Sequence, residues 1–284
     1  MTKSRLFPLL RLLVITYVLL CVIVGVFQRR IIYFPFYKTE AGMLAKAAEL
    51  GCQPWRAPDG TIIGWTNGRH EPPAANRLVL FHGNAGYALM RTHYIDGFGK
   101  LDGGRLWEVY LFEYPGFGAR SGKLGQESFI EAGSQAIDAL KAADSRPIYL
   151  LGESLGSGLA SALAQCRPKD VAGLFLLTPY ARLGDVAVRR FGFLPVRQML
   201  RDPWDNVTAL HDYRGPMAML IAGQDEVVTA AQGRLLYDSY AGPKRLWTDP
   251  GATHNTVNFS VYAPWWHEVS DFLLDDTRPH LSSP

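Results

Sequence analysis

Residues 147–166 read PIYLLGESLGSGLASALAQC. An apolar run suited to a strand, PIYLL (147–151), meets GESLG (152–156), and a stretch of helical composition rich in small residues follows. A buried strand has no need of the lone Ser154 between Gly152 and Gly156, and a flexible linker would not carry the leucines. The order strand, G-x-S-x-G, helix suits a sharp turn that lifts the Ser154 hydroxyl clear of a sheet. Small flanking residues let the chains pack that closely, and Gly158 and Ala160 are expected to keep the first helical turns near the strand. The pentapeptide alone arises often by chance. Its placement gives it weight.

The surroundings supply a sheet for that turn. TIIGWT (61–66), RLVLFH (77–82), WEVYLFE (107–113), AGLFLLT (172–178), PMAMLIAG (216–223) and KRLWT (244–248) also read as strands. Most are continuous apolar runs, as parallel strands covered on both faces should be. Between them lie helical stretches such as 126–144, where Phe129, Ile130, Ala136, Ile137 and Leu140 recur at helical spacing. Alternation of this kind predicts an α/β fold, a mostly parallel central sheet with helices on both faces. The connection between Pro179 and Gly215 is several times the usual length for such a loop. A lid is expected there, over 180–214.

The 284 residues are 48% hydrophobic and 19% charged, enough to bury a large core. The net charge of +3 is mild, and no basic stripe interleaved with aromatics points to nucleic acid. Cys21 lies in an apolar stretch; Cys52 and Cys166 belong to no CxxC or Cys/His cluster and are expected as unpaired buried thiols.

Leu12 to Phe27 is uncharged, and the apolar run extends back to Leu6 if Arg11 snorkels to the headgroups. That approaches the roughly 20 residues of a spanning helix. It exceeds a signal-peptide core, and GVFQRR (25–30) offers no A-x-A-like cleavage site. Residues 1–30 are therefore expected to be an uncleaved single-pass anchor, 31–278 the folded domain and 279–284 a flexible tail. Lys3, Arg5 and Arg11 balance Arg29 and Arg30, so the flanking charge sets no orientation. The aromatics of IIYFPFY (31–37) fit an interfacial belt that rests the domain against the bilayer.

A serine hydroxyl needs a base to become a nucleophile. Of seven histidines, His254 in DPGATHN (249–255) sits in a loop just after the last strand run. His267 falls on a terminal helix and His280 in the tail, while His82 reads as a structural hydrogen-bonder. The imidazole needs a carboxylate to fix its tautomer. Asp225, in the turn AGQDEVV (222–228), is favoured over its neighbour Glu226 and the more remote Asp249; its alternative use is a helix N-cap. The chain order Ser154, Asp225, His254 is the one expected for this elbow. For the oxyanion of acyl transfer, the Leu155 N–H at the start of the helix is one donor, and the Asn84 N–H in FHGNAG (81–86) is the other.

Together LFHGNAG (80–86), EYPGFG (113–118), GESLGSG (152–158), GQDEVV (223–228) and GATHN (251–255) resemble the alpha/beta-hydrolases. An N-terminal anchor followed by IIYFP (31–35) is similar to their membrane-anchored serine hydrolases, whose eukaryotic relatives include protein depalmitoylases. The resemblance spans nearly the whole chain. It implies the alpha/beta-hydrolase fold, serine esterase-type activity and no metal or organic cofactor. Pro115 stands where the family often carries arginine, so a contact from that arginine is not expected here. The expected reaction is hydrolysis of a carboxylic ester or thioester through acyl-Ser154. Its substrate is a small-molecule or lipid-like acyl compound, the latter suggested by the anchor and by Phe191, Phe193, Leu194, Met199, Leu200 and Trp204 in the insertion. The competing reading is an inactive, membrane-tethered interaction protein on a hydrolase scaffold. Against it, all three catalytic elements are in place and in order.

Overall fold

Alternating side chains along the central strands face opposite ways, and each set meets its own layer of helices. The computed structural model describes residues 3–68 and 72–275, with side chains from Phe7 onward. His70, His280, the 279–284 tail and the side chains of Lys3 and Arg5 lie outside that description. The strands of the main sheet are β1 (Gln53–Arg56), β2 (Ile62–Thr66), β3 (Asn76–Phe81), β4 (Trp107–Phe112), β5 (Ile148–Glu153), β6 (Gly173–Leu177), β7 (Met217–Ala222) and β8 (Lys244–Asp249). The helices are α1 (Lys3–Ile32), α2 (Glu40–Glu49), α3 (His93–Gly97), α4 (Gln126–Ala143), α5 (Gly156–Cys166), α6 (Leu183–Phe191), α7 (Val196–Met199), α8 (Asn206–Ala209), α9 (Ala230–Ser239) and α10 (Trp265–Leu274).

The sheet order is β8-β7-β6-β5-β3-β4-β2-β1, with β2 antiparallel to both neighbours and every other pairing parallel. Val79, Phe81, Tyr110 and Phe112 face α4 and α5, where Phe129, Ile137 and Leu163 cover them. Leu78, Leu80, Val109 and Leu111 face the other way, toward Met43 of α2, Tyr94 of α3 and Trp266 of α10. All seven runs read as strands lie in this sheet. Strand β1 was not anticipated. It is only four residues long and contains Pro54, which is tolerated because β1 is an edge.

Helix α1 is unbroken for 30 residues, and its Phe7–Ile32 portion is long and apolar enough to cross a membrane. At 1.5 Å per residue its 26 residues reach roughly 39 Å, more than a hydrocarbon core of about 30 Å. The aromatic segment after Arg30 is divided: Ile31 and Ile32 finish the helix, while Phe34–Pro35 pair in parallel with Ala85–Gly86. Phe34 N–H donates to Asn84 O (2.8 Å), and Asn84 Nδ2 donates to Ile32 O (3.1 Å). The end of α1 is thus fastened to the loop after β3.

The insertion docks on α1. Gln28 donates to Met199 O (3.0 Å) and accepts from Arg201 N–H (2.7 Å). Arg29 holds the buried Asp202 through two hydrogen bonds of 2.9 Å, and Tyr33 OH donates to the same carboxylate. Further along the helix, Tyr17 OH donates to Phe193 O (3.1 Å), and the Phe193 ring is 64% exposed. Of the cysteines, Cys52 is buried as expected. Cys166 is exposed because it ends α5, beyond the buried turns of that helix.

Candidate active site

Strand β5 ends at Glu153, and Ser154 turns the chain with φ 51°, in the left-handed region. A non-glycine residue there is strained, and such strain persists only where surrounding structure over-determines it. Two close approaches do so here. A Cβ on Gly152 would lie 2.6 Å from Gly156 O and Ser157 Cα, and one on Gly156 would collide with Phe81 O of β3. The reading of Gly158 needs correction, because its close neighbours are the Tyr180 hydroxyl and the Trp204 ring rather than the strand. A larger side chain there would push the insertion away from α5.

Ser154 Oγ lies 2.9 Å from His254 Nε2, and His254 Nδ1 lies 2.6 Å from Asp225 Oδ2. These three come together from the ends of β5, β8 and β7. Asp225 is buried, and its other oxygen accepts the N–H groups of Val227 (2.8 Å) and Val228 (2.7 Å). It caps its own turn with one oxygen and meets the imidazole with the other. The cap of α9 itself is Thr229. Glu226 is exposed, and Asp249 accepts from Asn258 N–H instead. His82 is fully buried, with Nδ1 2.8 Å from Gly83 O and its ring against Tyr114 and Phe117. His267 lies on α10, whose first turn supplies core tryptophans 265 and 266.

The loop after β3 backs the serine: a Cβ on Gly83 would lie 3.8 Å from Ser154 Cβ. Asn84 follows it, its carbonyl taken by Phe34. Leu155 sits at the cap position of α5, so its N–H belongs to the positive end of an eleven-residue helix. Within the described residues neither the Asn84 nor the Leu155 backbone N–H donates to a protein acceptor. Among the described residues no cluster of three or more His, Cys, Asp or Glu side chains is placed to hold a metal ion.

A cavity of about 270 Å³ opens at Ser154 and His254. Much of its wall comes from residues that sequence reading missed: Arg91, His93, Glu153 and Thr178. Arg91 Nε reaches both Glu153 oxygens (3.0 and 2.8 Å), and Tyr94 OH donates to the second (3.2 Å). Burial pushes the Glu153 carboxyl up, but the Arg91 charge and hydrogen bond outweigh it and hold the group below its ordinary range. Burial pushes His93 down to about 4, so this imidazole is neutral at pH 7. Its ring packs on Phe259 with centroids 4.3 Å apart. Glu153 lay inside the quoted motif, where a charged residue beside the lone serine was a usable signal. No residue of 180–214 lines this cavity.

A family model described as "alpha/beta hydrolase fold" matches residues 76–209. An uncharacterized protein of Mycobacterium tuberculosis is 28% identical over 238 residues, 80% of each chain. Human alpha/beta hydrolase domain-containing protein 17B is 24% identical over 231 residues, 79% of this chain and 75% of that one. Among solved structures, the Pyrococcus furiosus esterase Pf2001 superposes with a TM-score of 0.59 at 17% identity, covering 79% of this chain and 91% of that one.

Proposed function

The chain belongs to the alpha/beta-hydrolase superfamily, and from that premise we propose that it is a serine hydrolase cleaving carboxylic esters or thioesters through an acyl-Ser154 intermediate. The observation that carries this reading is the run of contacts from Ser154 Oγ to His254 to Asp225, at 2.9 and 2.6 Å. As Oγ attacks the carbonyl carbon, its proton passes to His254 Nε2. Asp225 Oδ2 accepts a hydrogen bond from Nδ1–H, which fixes that tautomer and stabilises the imidazolium. The negative charge that develops on the carbonyl oxygen falls to the Leu155 and Asn84 amides; losing one such donor typically raises the barrier by about 2.7–4 kcal/mol. Collapse breaks the bond to the leaving oxygen or sulfur, which takes the proton from Nε2. Water then repeats the sequence on the acyl-enzyme and frees Ser154.

Helix α1 acts as a single-pass membrane anchor in this reading. It ends where its last carbonyl meets Asn84, so the oxyanion loop sits at the membrane-proximal end of the domain. Lipid-like esters dissolved in or adsorbed to the bilayer are then within reach, and the exposed Phe193 beside Tyr17 lies along the same helix. The Phe7–Ile32 run, long and apolar enough to cross a membrane, supports this placement.

The test is turnover of 4-nitrophenyl butyrate by the full chain in detergent, with acid quench and peptide mass spectrometry. A butyryl adduct on the Ser154 peptide, absent in Ser154→Ala, is expected. Hydrolysis that survives Ser154→Ala would sink the assignment.

A further inference from the structure

Two polar atoms in the walls beside Ser154 have nothing to bond. Thr178 Oγ1 and His93 Nε2 are buried without a partner among the described residues, and both residues line the cavity that holds Ser154 and His254. Buried polar groups are rarely left in that state, and each exception calls for an explanation. Thr178 is 2% exposed and held at φ 46°, a left-handed conformation that is unusual for a β-branched residue. Such strain gathers at ligand sites.

The remaining walls are of the same kind. Arg91 uses Nε on Glu153, while its terminal nitrogens extend toward the oxyanion loop, 3.7 and 3.9 Å from where side chains on Gly83 and Gly86 would begin. Glu153 neutralises that guanidinium, so the cavity offers donors without a net charge that would favour an anion. Only Leu177 and Phe259 are apolar. The space is about nine water volumes, too small for a long hydrocarbon chain. A hydrocarbon placed there would leave Thr178 and His93 unpaired; a hydroxylated group would satisfy them.

Resting on the serine-hydrolase reading above, we propose that Thr178, His93 and Arg91 form a recognition subsite for an uncharged, oxygen-bearing portion of the ester, a hydroxyl or ether group close to the scissile bond. Any long chain of the substrate lies outside this cavity. Thr178 and His93 set specificity; neither carries out the bond-making step.

The test uses two matched pairs of probes with the full chain in detergent. On the alcohol side, 2,3-dihydroxypropyl butyrate is compared with propyl butyrate. On the acyl side, 4-nitrophenyl methoxyacetate is compared with 4-nitrophenyl butyrate, each corrected for its own hydroxide-catalysed rate. In at least one pair the oxygen-bearing probe is expected to have a kcat/KM about tenfold higher or more. Thr178→Val and His93→Phe should each bring that ratio near one, and Thr178→Ser should keep it. Fluorophosphonate labelling of Ser154 in every variant reports that the site is folded. Active, labelled enzyme with no preference in either pair overturns the subsite alone, as does a preference indifferent to both substitutions. Folded wild type that neither turns over any probe nor labels overturns the hydrolase reading with it.

Discussion

Ser154 and Thr178 occupy equivalent places on neighbouring parallel strands. Each follows the end of its strand in a left-handed conformation, at φ 51° and 46°. Each donates its N–H to the next strand at 2.8 Å, Ser154 to Leu177 O and Thr178 to Leu220 O. Both residues line one cavity. What separates them is their neighbours: His254 Nε2 stands 2.9 Å from Ser154 Oγ, whereas Thr178 Oγ1 meets no partner among the described residues. A strained turn displays a hydroxyl, and a positioned base makes it a nucleophile.

The largest effects should fall on the first of these hydroxyls. Ser154→Ala is expected to lower ester hydrolysis about 10⁴-fold or more, measured as kcat, while Thr178→Ala leaves the rate of Ser154 labelling within about threefold. A comparable loss of labelling in folded Thr178→Ala would break the distinction between the two strand ends. Asp225→Asn should cost about 10³–10⁴-fold in kcat, because the imidazole loses the partner that fixes its tautomer. Its thermal stability should change little, since the amide oxygen can still accept from Val227 and Val228.

Smaller effects sharpen the comparison through the wall the two hydroxyls share. Glu153→Gln removes the charge opposite Arg91 in a largely buried pair and should destabilise the fold by about 3 kcal/mol. A thermal melt showing no change would mean the pair is solvated. The pH dependence has a definite sign. His93 titrates near 4 in the folded protein and near 6.5 unfolded, so the unfolded chain binds more protons between those values. Its contribution is complete above about pH 6.5 and is lost as pH falls toward 4. Glu153, also depressed, contributes above the ordinary carboxylate range and loses that contribution as pH falls through its folded value. Wild type should therefore lose more melting temperature than His93→Phe between pH 6.5 and 4. Equal losses would show that His93 is solvated in the folded state.

The legible part of the site was the part built on local chemistry. Gly152 and Gly156 are there because strand and helix pass within contact of each other, and Asp225 and His254 occupy short loops at strand ends. These constraints act over a few residues and mark the sequence directly. Thr178 reads only as the end of an apolar run, since its backbone conformation is imposed by tertiary structure. Arg91 and His93 reach Glu153 and Phe259 across more than sixty residues of chain, with no spacing to announce it. In the fold, the central strands were plain from their apolar runs. The short edge strand β1 and the pairing of Phe34–Pro35 with Ala85–Gly86 were not, because two- to four-residue pairings with proline carry no period. The insertion's docking on α1 through Gln28, Arg29 and Asp202 was hidden for the same reason as the Arg91 contacts.

The central claim is that Ser154 alone of the two hydroxyls is activated, and reaction of the full chain with a fluorophosphonate, followed by peptide mapping, tests it most directly. A single adduct on Ser154, slowed at least a hundredfold in His254→Ala, is the predicted result. An adduct on Thr178, or folded protein that takes no label at all, would contradict it.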